Sequence, residues 1–367
     1  MNLFKPKPKP APLTLKQRVA EFWKWFAANA GQFYATIEDK RCGELEPETS
    51  EAVDKWLGGM AWVYGPGANR VGHSLTLSGE GFLPKQFVAD YWASQAPKLD
   101  GWTFYSSRQP SDSFGGIILH LEEAKEDFKP VEFWVFPYVD TESENIDLTV
   151  WHPSIHRLPE NARFMALFLI LDELLGEYGT QSWIGEIKFS EEHLKKSIPI
   201  AELPELIQQT QQEHGWKKLP PTESYSAYRL NPQDTNWLRS DTVAGTTRCF
   251  RLLREYFQAE GPCEHPFPGV GLDYVFVSIP TSHFPRGEEV NARGIIQDEI
   301  VQLLEANAAG ISLGGATGNQ NCYLDFAIYD GQRSLDIIQN VLCKHRLPKQ
   351  TRIHYLTSDR AQEVIKL

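Results

Sequence analysis

Residues 274–279 read YVFVSI, and they open the stretch that decides the fold. This β-branched and aromatic run predicts a strand. Residues 292–307 follow as a helix, with Ile295, Ile296, Ile300, Leu303 and Leu304 expected inward. Residues 311–313 and 323–329 predict two further strands. Ser334 caps a helix carrying Leu335, Ile338, Val341 and Leu342, and residues 351–356 predict the closing strand. The order β-α-β-β-α-β is that of a ferredoxin-like domain, with helices on one face of an antiparallel sheet.

Working outward, residues 246–258 predict a helix with Phe250, Leu252, Leu253 and Phe257 inward, and the proline-rich residues 261–269 a loop. Pro220-Pro221 marks a linker at 217–222. A strand at 224–230 can belong to either side of it. The expected organisation is an extended Lys/Pro arm at 1–13, an N-terminal α+β domain at 14–219 and the ferredoxin-like domain at 220–367.

The N-terminal domain begins with an α-hairpin. Thr14 and Gln17 have capping-box spacing, and Val19, Phe22, Trp23 and Phe26 recur at helical intervals. Pro47 precedes a second helix with Val53, Trp56 and Leu57 inward, and Gly58-Gly59 end it. A strand at 73–78, with Leu75 and Leu77 on one face, leads through a helix opened by Pro84 to a strand at 102–106. Residues 117–121, 131–139 and 145–151 predict strands of a mixed or antiparallel sheet, the last two forming a hairpin. The strand at 131–139 is apolar on both faces, so it is expected to be central. Residues 162–175 predict a helix apolar nearly all round, hence buried. A strand at 183–189 and a helix at 202–212 follow. Residues 75–106 and 324–356 echo each other as strand, turn, helix, strand.

Hydrophobic residues make up 41% of the chain and charged residues 23%, which fits a globular protein rather than a disordered one. With 48 acidic and 36 basic residues the net charge is −12, which repels nucleic acid and anionic lipid and favours a basic partner. The 11 Trp fit core packing or a binding surface. Five Cys, an odd and sparse set with none in C-x-x-C spacing, argue against a disulfide framework and a structural zinc site and point to a reducing, cytoplasmic setting. Residues 1–12 are basic but lack the apolar core of a signal peptide. The most apolar stretch, 164–175, is interrupted by Asp172 and Glu173 and is too short to span a bilayer.

No pattern fixes a chemistry. The glycine cluster at 314–318 can present N–H groups to an anion, but it is followed by a strand, lacks G-x-G-x-x-G and G-K-[ST], and reads first as a hairpin loop. Arg239-Ser240-Asp241 lies near the expected domain boundary, where clefts form; Asp241 can equally cap the next helix or pair with Arg239. The candidate ligand-binding residues are therefore Arg239, Asp241, Gly314, Gly315 and Gly318. His152 and His156 share no continuous helix because Pro153 lies between them, and Cys263-Glu264-His265 are too close in sequence to converge, so no metal or cofactor is expected. Ser78-Gly79-Glu80-Gly81 is not a nucleophile elbow. The acidic pairs Glu122-Glu123 and Glu288-Glu289 read as solvated surface.

The run 22–26 (FWKWF), the segment 75–78 (LTLS), Ala96-Pro97 with Gly101-Trp102, and the cluster 314–318 together resemble a group of bacterial α+β proteins with no established activity. The resemblance implies a bacterial cytoplasmic setting and carries over no site residue. The leading expectation is a soluble, non-enzymatic protein-binding module, immunity-like in form, engaging a basic partner. The alternatives are an enzyme with a site in an interdomain cleft and a small-ligand sensor.

Overall fold

The computed structural model describes residues 12–111, 114, 119–121, 126–233, 235 and 237–367. The expected arm, up to residue 11, lies outside them, as do residues 117 and 118 of one expected strand and the pair Glu122-Glu123. In chain order the helices are α1 (Leu15–Glu38), α2 (Glu46–Leu57), α3 (Leu83–Ser94), α4 (Glu160–Leu175), α5 (Glu177–Trp183), α6 (Leu203–His214), α7 (Phe250–Gln258), α8 (Glu289–Ala306) and α9 (Gln332–Lys344). The strands are β1 (Ala61–Pro66), β2 (His73–Ser78), β3 (Trp102–Tyr105), β4 (Leu119–Leu121), β5 (Glu126–Phe128), β6 (Trp134–Asp140), β7 (Asn145–Trp151), β8 (Ile184–Phe189), β9 (Ile198–Pro199), β10 (Ser226–Arg229), β11 (Thr242–Thr247), β12 (Asp273–Pro280), β13 (Gly310–Gly318), β14 (Asn321–Ile328), β15 (Arg352–Tyr355) and β16 (Ile365–Lys366). The fold is α+β.

Two compact units form. One joins the described residues through Met60 with Gln95–Leu99 and Tyr225–Leu367; the other holds Ala61–Ser94 and Asp100–Ser224. The α1–α2 hairpin, expected with residues 61–219, thus groups with the C-terminal residues. Backbone bonds show why: Leu15 N–H donates to Gly271 O and Lys16 N–H to Tyr329 O, both at 2.9 Å. The capping box is present, with Gln17 N–H donating to Thr14 Oγ1 and Thr14 N–H to Gln17 Oε1.

In this first unit a seven-stranded sheet runs β10-β11-β13-β14-β12-β15-β16, with every adjacent pair antiparallel. Three strands therefore extend the four predicted by the β-α-β-β-α-β reading. Alternation divides β12 and β14 between two faces. Val275, Val277, Ile279, Leu324, Phe326 and Ile328 bury against Ile296, Ile300 and Leu304 of α8 and Leu335, Ile338 and Leu342 of α9. Burying each such side chain is worth about 1.5–3 kcal/mol. The other face carries Phe276 and Tyr323, and Tyr256 of α7 meets Phe276 edge to face at 5.9 Å.

Four expectations fail in this unit. Ile295 is 65% and Leu303 38% exposed, because the 4-residue spacing of Ile296, Ile300 and Leu304 defines the inward stripe and Arg293 extends it. The helix expected from 246 begins at Phe250, since Thr246 and Thr247 pair with Gly315 and Gly314 in β11–β13. Phe250, expected inward, is exposed. Finally, the glycines 314–318 are not a hairpin loop but part of β13.

In the second unit, β1 pairs antiparallel with β2, and β2 pairs parallel with β3 through the α3 crossover. Leu75 and Leu77 are buried, and Trp92 of α3 meets Phe104 of β3 edge to face at 6.0 Å. A second sheet runs β8-β7-β6-β9, with β6 internal as expected. Val135, Ile146, Leu148 and Val150 pack with Leu167, Ile170 and Leu171 of α4 and with Leu203 and Ile207 of α6. Helix α4 is not buried all round, because one stripe suffices to cover this sheet; Met165 is 49% and Phe168 44% exposed. The two echoing segments differ in topology: β2 and β3 are neighbours, whereas β12 separates β14 from β15. Among the described residues no helix is long and apolar enough to cross a membrane.

Candidate functional site

Arg239, Asp241, Gly314, Gly315 and Gly318 all lie in the first unit, around the centre of its sheet. Arg239 is 1% exposed and sits in the left-handed region at φ 80°. Its guanidinium lies over the adjoining rings of Phe276 and Tyr323, 5.0 and 4.8 Å from their centroids, and forks onto both carboxylate oxygens of Asp325. Burial opposes its charge, but the Asp325 carboxylate outweighs that and holds the group firmly protonated. Arg239 therefore pairs with Asp325, not with Asp241.

Asp241 does not cap a helix either. Its carboxylate accepts the Tyr323 hydroxyl and the N–H groups of Gln320 and Asn321, closing the β13–β14 turn. The glycines make room for this arrangement. A Cβ on Gly318 would strike the Asp241 carboxylate, one on Gly315 the Arg293 guanidinium, and one on Gly314 the Thr246 carbonyl. Arg293 in turn donates to Tyr323 O at 3.0 Å, and Gln297 spans Ser312 and Gly314 O. The candidate residues thus converge around Tyr323, Asp325 and the β13–β14 turn.

The second unit holds an opening of its own. A cleft of about 720 Å³ lies against the sheet face of Val63, Gly65, Ser74, Thr76 and Tyr105, and is walled by Arg70, Arg108–Ser111 and Glu173. Register puts these on one face: Val63 opposes Thr76, Gly65 opposes Ser74, and Thr76 opposes Tyr105. Two consecutive non-glycine residues in the wall, Asn69 (φ 54°) and Arg70 (φ 61°), are left-handed. That conformation costs about 1–2 kcal/mol per residue. Here it is held by Gly67 N–H donating to Gly72 O at 2.9 Å and Ala68 N–H to Thr103 Oγ1 at 3.1 Å.

The far wall hangs on Glu177, only 2% exposed. Its carboxylate accepts Ser78 Oγ (2.8 Å), Gln86 Nε2 (2.9 Å), Gly81 N–H (3.1 Å) and Arg108 N–H (3.5 Å). Its own N–H donates to Arg108 O at 3.0 Å. One side chain thereby joins the end of β2, the start of α3 and the segment after β3. Nearby, burial pushes the Asp172 carboxyl up to about 6; Thr180 opposes the rise, the Glu177 charge adds to it, and Arg108 opposes it.

No family model, curated protein or solved structure matches this chain.

The remaining sequence candidates are structural. His265 donates from Nε2 to Leu272 O at 2.8 Å and accepts Phe267 N–H at Nδ1, so both nitrogens are used. Burial pushes the Cys263 thiol up to about 11, away from the thiolate a metal needs. His152 is 3% exposed beside Phe128 and Phe133. No cluster of metal-ligating side chains occurs among the described residues. A Ser–His contact joins Ser278 Oγ to His354 Nε2 at 3.2 Å, with Ser278 4% exposed and His354 half-buried. The cleft residues Arg70 and Arg108 were missed by sequence reasoning. The one usable signal was the Gly65-Pro66-Gly67 turn opening a short glycine-bounded loop.

Proposed function

We propose that the protein binds a small polar molecule in the cleft of residues 63–76, 105–111 and 173. The carrying observation is the left-handed Asn69–Arg70 pair in the cleft wall, because strained backbone of this kind gathers at ligand sites. The volume of about 720 Å³ suits one small ligand. The lining combines hydroxyls (Ser74, Thr76, Tyr105), arginines (Arg70, Arg108), the carboxylate residue Glu173 and apolar residues such as Val63, a mixture suited to a polar ligand. A thermal-shift screen of small molecules, repeated with the cleft-filling variant Val63→Trp, tests this. Stabilisation seen with the natural chain and lost in V63W supports it; equal stabilisation in both counts against it.

The exposed Met165 and Phe168 of α4 favour a second reading, a protein-binding module in a bacterial cytoplasm. With a net charge of −12 the matching partner is basic and presents an apolar side chain to α4. Salt-sensitive association with one such partner, abolished by M165E/F168E, is the expected result. For the first unit, the sheet order β13-β14-β12-β15 supports reading residues 273–355 as a ferredoxin-like core enlarged by β10, β11 and β16.

A further inference from the structure

We infer that the ligand of this cleft is a small organic anion whose carboxylate or phosphate oxygens are held by Arg70 and Arg108. The inference rests on the reading that the cleft binds a small molecule. The chain carries 48 acidic against 36 basic residues, yet among the described residues the cleft lining includes two arginines, Arg70 and Arg108, beside one carboxylate residue, Glu173. A local field opposite in sign to the whole molecule concentrates anions in one place.

The two arginines are also fixed at their backbones. Arg70 is set by the left-handed turn, whose own N–H donates to Gly67 O at 2.9 Å. Arg108 is gripped on both sides of its residue by Glu177, through its N–H and its C=O. Guanidinium forks match the planar oxygens of carboxylates and phosphates better than a lysine ammonium does. The hydroxyl-bearing residues Ser74, Thr76 and Tyr105 on the same sheet face add donors suited to the rest of such a ligand. Asp172 and Glu177, two further carboxyl groups near Arg108, are not part of the cleft lining.

Calorimetric titration of the full chain with inorganic phosphate and with malonate, beside glucose and putrescine as neutral and cationic probes, tests the inference. Saturable binding of phosphate or malonate is expected, weakened at least about tenfold in R70Q and in R108Q and partly restored in R108K; about tenfold is the loss of one charge-assisted contact. The anion that binds more tightly identifies the oxygen group recognised. Melting curves establish that each variant is folded. Absence of binding by both anions, or unchanged binding in R70Q and R108Q, overturns the inference. If glucose or putrescine then binds and V63W abolishes it, the small-molecule reading survives; if none of the four binds, both fall.

Discussion

Arg239 Nη2 lies 3.1 Å from Asp325 Oδ2, with Nη1 bonded to Oδ1, across 86 positions of sequence. The pair is almost wholly buried, and it fastens the segment before β11 onto the middle of the sheet. A buried pair of this kind is costly to break on one side only, because the other charge is left stranded. Arg239→Met or Asp325→Leu alone is therefore expected to destabilise by about 3–5 kcal/mol. The double variant R239M/D325L is expected to recover most of the loss, as measured by urea unfolding in a double-mutant cycle.

The glycines of β13 yield a contrast. Gly318→Ala and Gly315→Ala drive a Cβ into the Asp241 and Arg293 side chains, and are expected to cost about 1–3 kcal/mol, the usual range for overpacking. Gly294 lies within α8, and a Cβ there meets nothing within 4 Å. Gly294→Ala is expected to stabilise by about 0.5–1 kcal/mol through helix propensity. Urea midpoints of the three variants decide it.

Those glycines also mark the limit of what was legible. Strands β12 and β14 and helices α8 and α9 were readable because each buries a periodic stripe against one core. The stretch 314–318 was not, since glycine carries no periodicity, and the side chains that require it, Asp241 and Arg293, lie 77 and 22 positions away from Gly318 and Gly315 (318 − 241; 315 − 293). Arg239 and Asp241 were singled out as a pair, yet each found a different long-range partner. The cleft was invisible for a similar reason: Arg70 and Arg108 are brought together by the β2–β3 pairing and by Glu177, and neither sits in a recognisable motif.

Two groups are expected to titrate with opposite effects on stability. Burial, with Arg352 adding, lowers His354 to about 4, so the unfolded chain binds the proton first. Its contribution is present above the unfolded value of 6.5 and is lost as pH falls towards 4. Asp172 is raised to about 6 in the fold, chiefly by burial, so its contribution is present below the unfolded 3.8 and is lost as pH rises through 6. Urea unfolding from pH 4 to 8 is expected to show His354→Gln removing an acid-side loss, and Asp172→Asn raising stability at pH 7 relative to the natural chain.

Glu177 is expected to hold the cleft wall. Glu177→Ala leaves Ser78 Oγ and Gly81 N–H without their acceptor and Gln86 Nε2 with Gln181 Oε1 alone, at about 1–3 kcal/mol for each buried group that stays unsatisfied. Hydrogen exchange is expected to rise at Gly81 and Arg108 in this variant, while exchange in β12 and β14 stays unchanged.

The most direct test of the account is amide chemical-shift mapping during titration with the tighter-binding of phosphate and malonate. Shifts confined to residues 63–76, 105–111 and 173 are the predicted result. Shifts centred on α4 or on the Arg239–Asp325 region, with the cleft amides unmoved, would contradict it.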